Sequence, residues 1–212
     1  MKFLFQPVKP WRVFQGFGEN SACIDIATGK KVIACDGLNP PAGYKSVYSQ
    51  MKGHSGLDVF AKRWQECYSA QDGFVEEVVS EDARGLGLGI ITNDKYLCDQ
   101  TGKPEYFKIR YWHFISFNVH KGEKVKVGDF LGYCDSTGYS SGDHLHFELK
   151  PVAQNTKGVW YNVLQDNGYF GAVDPTPHME NIFALEFAGL WRQVKELLAK
   201  VADLLSDKMR NQ

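Results

Sequence analysis

The sequence predicts a mainly β fold, an antiparallel sheet, sandwich or barrel-like core, with one α-helix at the C-terminal end. Three observations carry this. Between residues 53 and 150, short apolar runs alternate with turn residues and show no helical periodicity. Glycine is frequent, at 21 residues, and aromatic residues reach 14%, which suits strands and turns better than a helical bundle. Only after Pro177 do apolar residues recur at intervals of three and four.

Length and charge exclude other classes. A chain of 212 residues with 43% hydrophobic content can bury a sizeable core without disulfide staples. Its 24 basic and 25 acidic residues leave a net charge of -1, without the basic footprint of a nucleic-acid binder. The five cysteines form no Cys-x-x-Cys pair, which argues against a disulfide framework or a zinc ribbon. Only Phe3, Leu4 and Phe5 precede Gln6 and Pro7, too short an apolar run for a signal peptide. No uncharged stretch approaches the length of a membrane span. The expectation is synthesis in the cytoplasm with cysteines as thiols. A Cys23–Cys35 bridge across a hairpin is the alternative.

The elements follow in order. Residues 1–52 form an N-terminal segment packed on the core, with Gly16-Phe17-Gly18 followed by an extra hairpin. Its strands, Cys23–Ile26 and Lys31–Ala34, flank a turn at Thr28-Gly29. The central domain, 53–173, has strands expected at Leu57–Ala61, Phe74–Val79, Leu88–Asn93, Tyr106–Ile115, Lys124–Cys134 and His144–Lys150. Loops are expected at 94–105 and 135–143. In the remaining 174–212, Asp174-Pro175-Thr176-Pro177 reads as a linker and helix start, with Thr176 as cap and Pro177 at the first helical position. The helix continues to about Lys208. Leu190, Val194, Leu197, Val201 and Leu204 form its stripe, widened by Trp191, Leu198 and Leu205. Charges interrupt it too often for a membrane span. The heptad spacing allows a parallel coiled coil. The wide face favours packing against the β domain or other helices.

Five residues carry the candidate chemistry: His54, Asp58, His113, His144 and His146. In His144-Leu145-His146-Phe147-Glu148-Leu149, strict alternation puts His144, His146 and Glu148 on one strand face and the apolar residues on the other. The two imidazoles then lie about 7 Å apart at the backbone and can converge on one site. In Gly53-His54-Ser55-Gly56-Leu57-Asp58, a straight strand would hold His54 and Asp58 about 13 Å apart. Gly53 and Gly56 let the backbone bend and close that gap. By itself this pattern fits an incidental turn equally well. His113 lies in an aromatic strand, where alternation groups it with Ile109, Tyr111 and Ile115; alone, a structural role suits it as well as a catalytic one. Two imidazole nitrogens, one carboxylate oxygen and an open fourth position make a catalytic zinc set.

These motifs, in this order, resemble the lysostaphin-type, or LytM-like, zinc metallopeptidases. His54-x-x-x-Asp58, His113 in Tyr-Trp-His-Phe, and His144-x-His146 match that family's pattern. Val127-Gly128-Asp129-Phe130-Leu131-Gly132 and Ser136-Thr137-Gly138-Tyr139-Ser140-Ser141-Gly142-Asp143 match its surroundings. The resemblance covers roughly residues 53–150, and Gly16-Phe17-Gly18 resembles the family's domain start. It implies a compact β core with a substrate groove and Zn2+-dependent hydrolysis of bacterial peptidoglycan peptides. His54, Asp58 and His146 are the implied zinc ligands, His144 the implied base and His113 the implied donor to the oxyanion. Glu148 is expected to orient a zinc-binding imidazole, with a solvated glutamate as the alternative. Asn20 is expected to serve ordinary turn chemistry, with the alternative that it fills the open zinc position as an asparagine does in latent members of the family. The extended 94–105 loop is expected to wall the groove. The absence of a leader suits a phage lysin or virion-associated wall hydrolase, with a virion partner or self-association through the C-terminal helix. The rival reading is a catalytically inactive module that binds wall or activates an amidase.

Overall fold

The structure of the protein, a computed structural model, describes residues 2–19, 23–32, 35, 38–46, 51–81, 85–165 and 167–210. The N-terminal part holds β1 (Leu4–Gln6), β2 (Val13–Gln15), β3 (Cys23–Asp25), β4 (Lys31–Val32) and β5 (Tyr44–Ser46). The central part holds β6 (Leu57–Phe60), β7 (Glu66–Tyr68), β8 (Gly73–Glu81), β9 (Gly85–Thr92), β10 (Tyr96–Cys98) and β11 (Lys103–Phe117). It continues with β12 (Lys124–Val125), β13 (Phe130–Cys134), β14 (His144–Gln154) and β15 (Trp160–Asn162). β16 (Met179–Phe183) and α1 (Ala184–Arg210) close the chain.

The main sheet runs β12-β8-β9-β11-β14-β6-β2, with antiparallel pairing throughout. β13 pairs with β11 and β7 beside it. The fold is therefore the predicted mainly β core with a C-terminal helix. Period-two alternation sets which face is which. Ile90, Phe107, Ile109, Leu145, Phe147 and Leu149 are all fully buried on the core side. Burying one such side chain stabilises by about 1.5–3 kcal/mol. A one-residue slip of β14 would expose its whole apolar set, so the register is fixed firmly. That register puts His146 opposite Asp58 on β6 and opposite Trp112 on β11.

Several expected boundaries move. The 124–134 run divides into β12 and β13 at a turn, where Gly128 has a φ of 84° and a Cβ would lie 2.7 Å from that of Ala188. The 94–105 loop is a hairpin in which β10 pairs with the start of β11. Glu105 lies eight residues, about 26 Å along the strand, from His113. This hairpin therefore sits at the far end of β11 and does not wall the groove beside His113. The capping signal at Thr176 produces only a 3-10 turn, Thr176–His178, with no side-chain cap. The next five residues pair in parallel with β1, and the helix begins at Ala184. Local helix-start chemistry lost to strand pairing, because Phe3 and Leu4 bury their side chains in the core beside it.

The N-terminal hairpin forms around Gly29, with β5 as a third strand, although Ile33 and Ala34 lie outside the described residues. Cys23 and Cys35 are disulfide-bonded across it, with Cα atoms 5.7 Å apart, so the expectation of five thiols is corrected for this pair. Cys67, Cys98 and Cys134 are free and buried. The expected packing of the C-terminal stripe on the β domain stops after the first turn of α1. Leu197 and Leu204 are 62% and 71% exposed. Among the described residues, no helix is long and apolar enough to cross a membrane.

Candidate metal centre and active-site cleft

The site is built where β6 and β14 meet. Leu145 and Phe147 anchor β14 in the core, which turns His144 and His146 to the opposite face. Just before β6 the chain bends at Gly56. A Cβ there would lie 2.5 Å from the Phe147 carbonyl oxygen and 3.0 Å from the His146 ring, so only glycine fits. The bend brings His54 Nε2 to 3.1 Å from Asp58 Oδ1, although the two residues are four apart. The Gly16–Gly18 segment holds His54 from behind. Gly18 N–H donates to the His54 carbonyl at 2.8 Å, His54 N–H donates to the Glu19 carbonyl at 3.0 Å, and His54 Nδ1–H donates to the Gly16 carbonyl at 3.1 Å.

Three donor atoms thus converge. His146 Nδ1 lies 2.9 Å from both Asp58 Oδ1 and His54 Nε2. Two imidazole nitrogens and one carboxylate oxygen, all largely buried, form a group that can hold a metal ion. The fit is good. A tetrahedral zinc with bonds of about 2.0–2.1 Å spaces its ligand atoms about 3.3 Å apart, so this triangle needs to open by only a few tenths of an ångström. The Gly16 carbonyl fixes the His54 tautomer that leaves Nε2 as a lone pair, as a metal ligand requires.

His144 and His113 face the same space. His144 Nδ1–H donates to the Gly142 carbonyl at 2.7 Å, and its Nε2 lies 3.5 Å from Asp58 Oδ1. Phe14 packs edge-on against the His144 ring. The cleft beside them is about 350 Å³ and is lined by Arg12, Phe14, Phe60, Asp58, Gly142 and His144 among others.

His113 reaches the histidine cluster by a route the alternation did not predict. Ile109 and Tyr111 are fully buried in the core, and the Tyr111 hydroxyl accepts from Ala70 N–H at 2.9 Å. Pairing with β9 runs in step to Trp112–Gly87 and resumes at Phe114–Leu86, skipping His113. His113 is a bulge residue with a φ of 69°, rare for a residue with a Cβ. The bulge flips the alternation, so Phe114 enters the core and His113 turns out beside Trp112. Its ring centroid lies 4.5 Å from that of His144, and its Nδ1–H donates to the Thr137 carbonyl at 2.6 Å.

The electrostatics separate these groups. Burial would raise the Asp58 pKa, but hydrogen bonds from His144, His146 and His54 overcome it and hold the carboxyl well below the usual carboxylate range. Burial lowers His146. Burial also pushes His113 down to about 4. For His144 burial acts downward too, but the Asp58 carboxylate outweighs it and the pKa rises.

Glu148 takes neither expected role. It is buried, and its carboxylate accepts from Arg110 Nη1 at 3.0 Å and lies 3.4 Å from Lys150 Nζ. Arg110 also bonds Glu77 at 2.8 Å and lies over the Trp112 ring. Glu148 therefore belongs to an ion network that fixes the floor of the groove next to the histidines. Asn20 lies outside the described residues.

A family model described as peptidase family M23 matches residues 52–159, half of the chain, and these residues contain all five site side chains. The chain belongs to peptidase family M23. This is the family to which the lysostaphin-type resemblance pointed. It is 32% identical over 119 residues to the glycyl-glycine endopeptidase ALE-1 of Staphylococcus capitis, covering 55% of this chain and 30% of that protein. It is 30% identical over 109 residues to the peptidoglycan DD-endopeptidase ShyC of Vibrio cholerae, covering 51% of this chain and 23% of that protein. The chain therefore matches less than a third of the length of these curated relatives. The fold matches the catalytic domain of lysostaphin from Staphylococcus simulans with a TM-score of 0.50 and 22% identity, covering 79% of this chain and 90% of that one.

What sequence reading missed in this M23 domain is mostly backbone. The carbonyls of Gly16, Thr137 and Gly142 set three imidazole tautomers, and carbonyls leave no residue-type signal. Thr137 also clamps the bulge, with its Oγ1 donating to the Phe114 carbonyl at 2.8 Å and accepting from Leu86 N–H at 3.0 Å. Its place in the Ser-Thr-Gly run was the available clue.

Proposed function

We propose that this chain is a zinc-dependent endopeptidase that hydrolyses peptide bonds in the cross-links or stem peptides of bacterial peptidoglycan. One observation carries the reading. Two imidazole nitrogens and a carboxylate oxygen converge within 3.1 Å beside two further imidazoles in ring contact with each other, one of which lines the adjoining cleft. The names of the M23 relatives, a glycyl-glycine endopeptidase and a peptidoglycan DD-endopeptidase, support the substrate class.

In this reading His54, Asp58 and His146 hold the zinc. A bound zinc supplies Lewis acidity and lowers the pKa of water to about 7. The remaining steps belong to the protein. His144, with its Nδ1–H committed to Gly142, takes a proton at Nε2 from the attacking water and returns it to the leaving amine. His113 has its Nδ1–H committed to Thr137, so it can donate to the carbonyl oxygen only when Nε2 is also protonated. Burial opposes that charge in the free protein, and the developing oxyanion favours it. Phe14, Phe60 and Arg12 line the cleft and position the peptide.

The test is digestion of purified peptidoglycans with glycine bridges and with direct cross-links, with fragments identified by mass spectrometry. Hydrolysis at peptide bonds, abolished by chelator and restored by zinc, is the expected result. Wall binding without cleavage of any substrate would establish the inactive-module reading instead.

A further inference from the structure

The C-terminal helix carries a surface that the catalytic chemistry does not use. α1 has 27 residues, and at 1.5 Å per residue a helix of that length extends about 40 Å. Among the described residues, only its first five, Ala184 to Ala188, are seated on the domain. Phe187 stacks on Phe5 with ring centroids 4.0 Å apart, and Ala184 and Ala188 close over Gly128. Beyond Ala188, Leu190, Leu197 and Leu204 are 56%, 62% and 71% exposed. Val194 and Val201, on the same side, are exposed as well. A single exposed leucine is ordinary, but a contiguous apolar row of this length marks an interaction surface.

We propose that this stripe is covered by the same stripe of other copies of this chain, with the helices parallel. The spacing points to self-pairing. Leucine recurs at one heptad position three times and valine at the other twice. In parallel coiled coils, where each layer meets its own counterpart, a β-branched residue there with leucine at its partner position favours two strands. The area is sufficient. Trp191, Leu198 and Leu205 lie along one edge of the stripe and are also about half exposed. With on the order of 100 Å² exposed by each of eight side chains, covering two stripes removes about 1,600 Å² from water, the size of a standard stable interface. The charges argue against a lipid surface. The helix has four acidic and five basic residues, not the strongly basic polar face of a membrane-surface helix. Lys195 also folds its ammonium over the Trp191 ring, shielding the edge of the stripe.

Sedimentation equilibrium of the full chain at micromolar concentration tests this. The expected mass is at least twice the 24.0 kDa of one chain. The double variant Leu197→Glu, Leu204→Glu should fall to a single chain while keeping its metal content, which shows that the domain is folded. Leu204→Cys should give a covalent dimer under mild oxidation, as only parallel helices allow. An unmutated chain that sediments as a monomer would overturn the proposal. So would a monomer that floats with anionic phospholipid vesicles, an assembly that survives the double glutamate variant, or an assembly in which Leu204→Cys does not cross-link.

Discussion

β14 and β11 lie side by side in the central sheet and both deliver histidines to one cluster, but by different means. β14 is regular. Leu145, Phe147 and Leu149 go into the core, and His144 and His146 face out because alternate side chains must. β11 breaks its own alternation. His113 is presented by a bulge in a left-handed conformation, held by Thr137 and by the resumed burial of Phe114. The strand of His144 and His146 thus draws its precision from core packing. The strand of the second imidazole draws its precision from one clamped backbone distortion, which costs on the order of 1–3 kcal/mol and must be supported from outside.

The comparison can be broken first at the ligands. Asp58→Ala removes the carboxylate that touches three imidazoles, so zinc should be lost and activity should fall to background. That exceeds the hundredfold or so expected for loss of a proton carrier. His144→Ala and His113→Ala come next. Each should keep about one zinc per chain and lose about a hundredfold or more in turnover. Full activity in either variant would remove that residue from the mechanism.

Smaller changes separate the two strands. Gly56→Ala pushes a Cβ into the Phe147 carbonyl and the His146 ring, so it should weaken zinc affinity by about 10–100-fold, as loss of ligand orientation does. Thr137→Val removes the clamp of the bulge and should lower turnover roughly tenfold with zinc affinity unchanged, since it orients a group that acts on the transition state. If Thr137→Val released zinc, the two strands would not be independent supports.

A pH slope in metal-free protein bears on His113 alone and is read in stability rather than in turnover. His113 has its pKa lowered from 6.5 to about 4 by burial, so between these values the unfolded chain binds more protons at this site than the folded one. Its contribution to stability is therefore present above pH 6.5 and is lost as pH falls toward 4. His144, with its pKa raised, acts in the opposite sense. Denaturation of the unmutated chain and of His113→Gln across this range should show the variant losing less stability, by up to ~3 kcal/mol at the acidic end.

Much of the site was legible because its chemistry lies in residue types at fixed spacing. His144-x-His146 reads directly as one strand face. His54-x-x-x-Asp58 becomes readable through Gly56, whose lack of a side chain permits the bend. His113 was found as a residue, but its neighbours were assigned to the wrong face, because a bulge has no compositional mark when its residue is not glycine. Glu148 illustrates another limit. Its strand face was correct, but whether it met an imidazole, water or Arg110 depended on residues from two other strands. The helix start at Thr176 failed for a related reason, because the competing partner β1 lies more than 170 residues earlier in the chain. The stripe on α1 was legible as a pattern, and its exposure among the described residues emerged only from the fold.

The central claim is that His54, Asp58 and His146 form the zinc site of a working peptidase. The most direct measurement is the metal content of the purified full chain and of Asp58→Ala, prepared without chelator and then offered zinc. The account predicts one zinc per 24.0 kDa chain and none in the variant. An unmutated chain that takes up no zinc, or an Asp58→Ala chain that binds it as tightly, would contradict it.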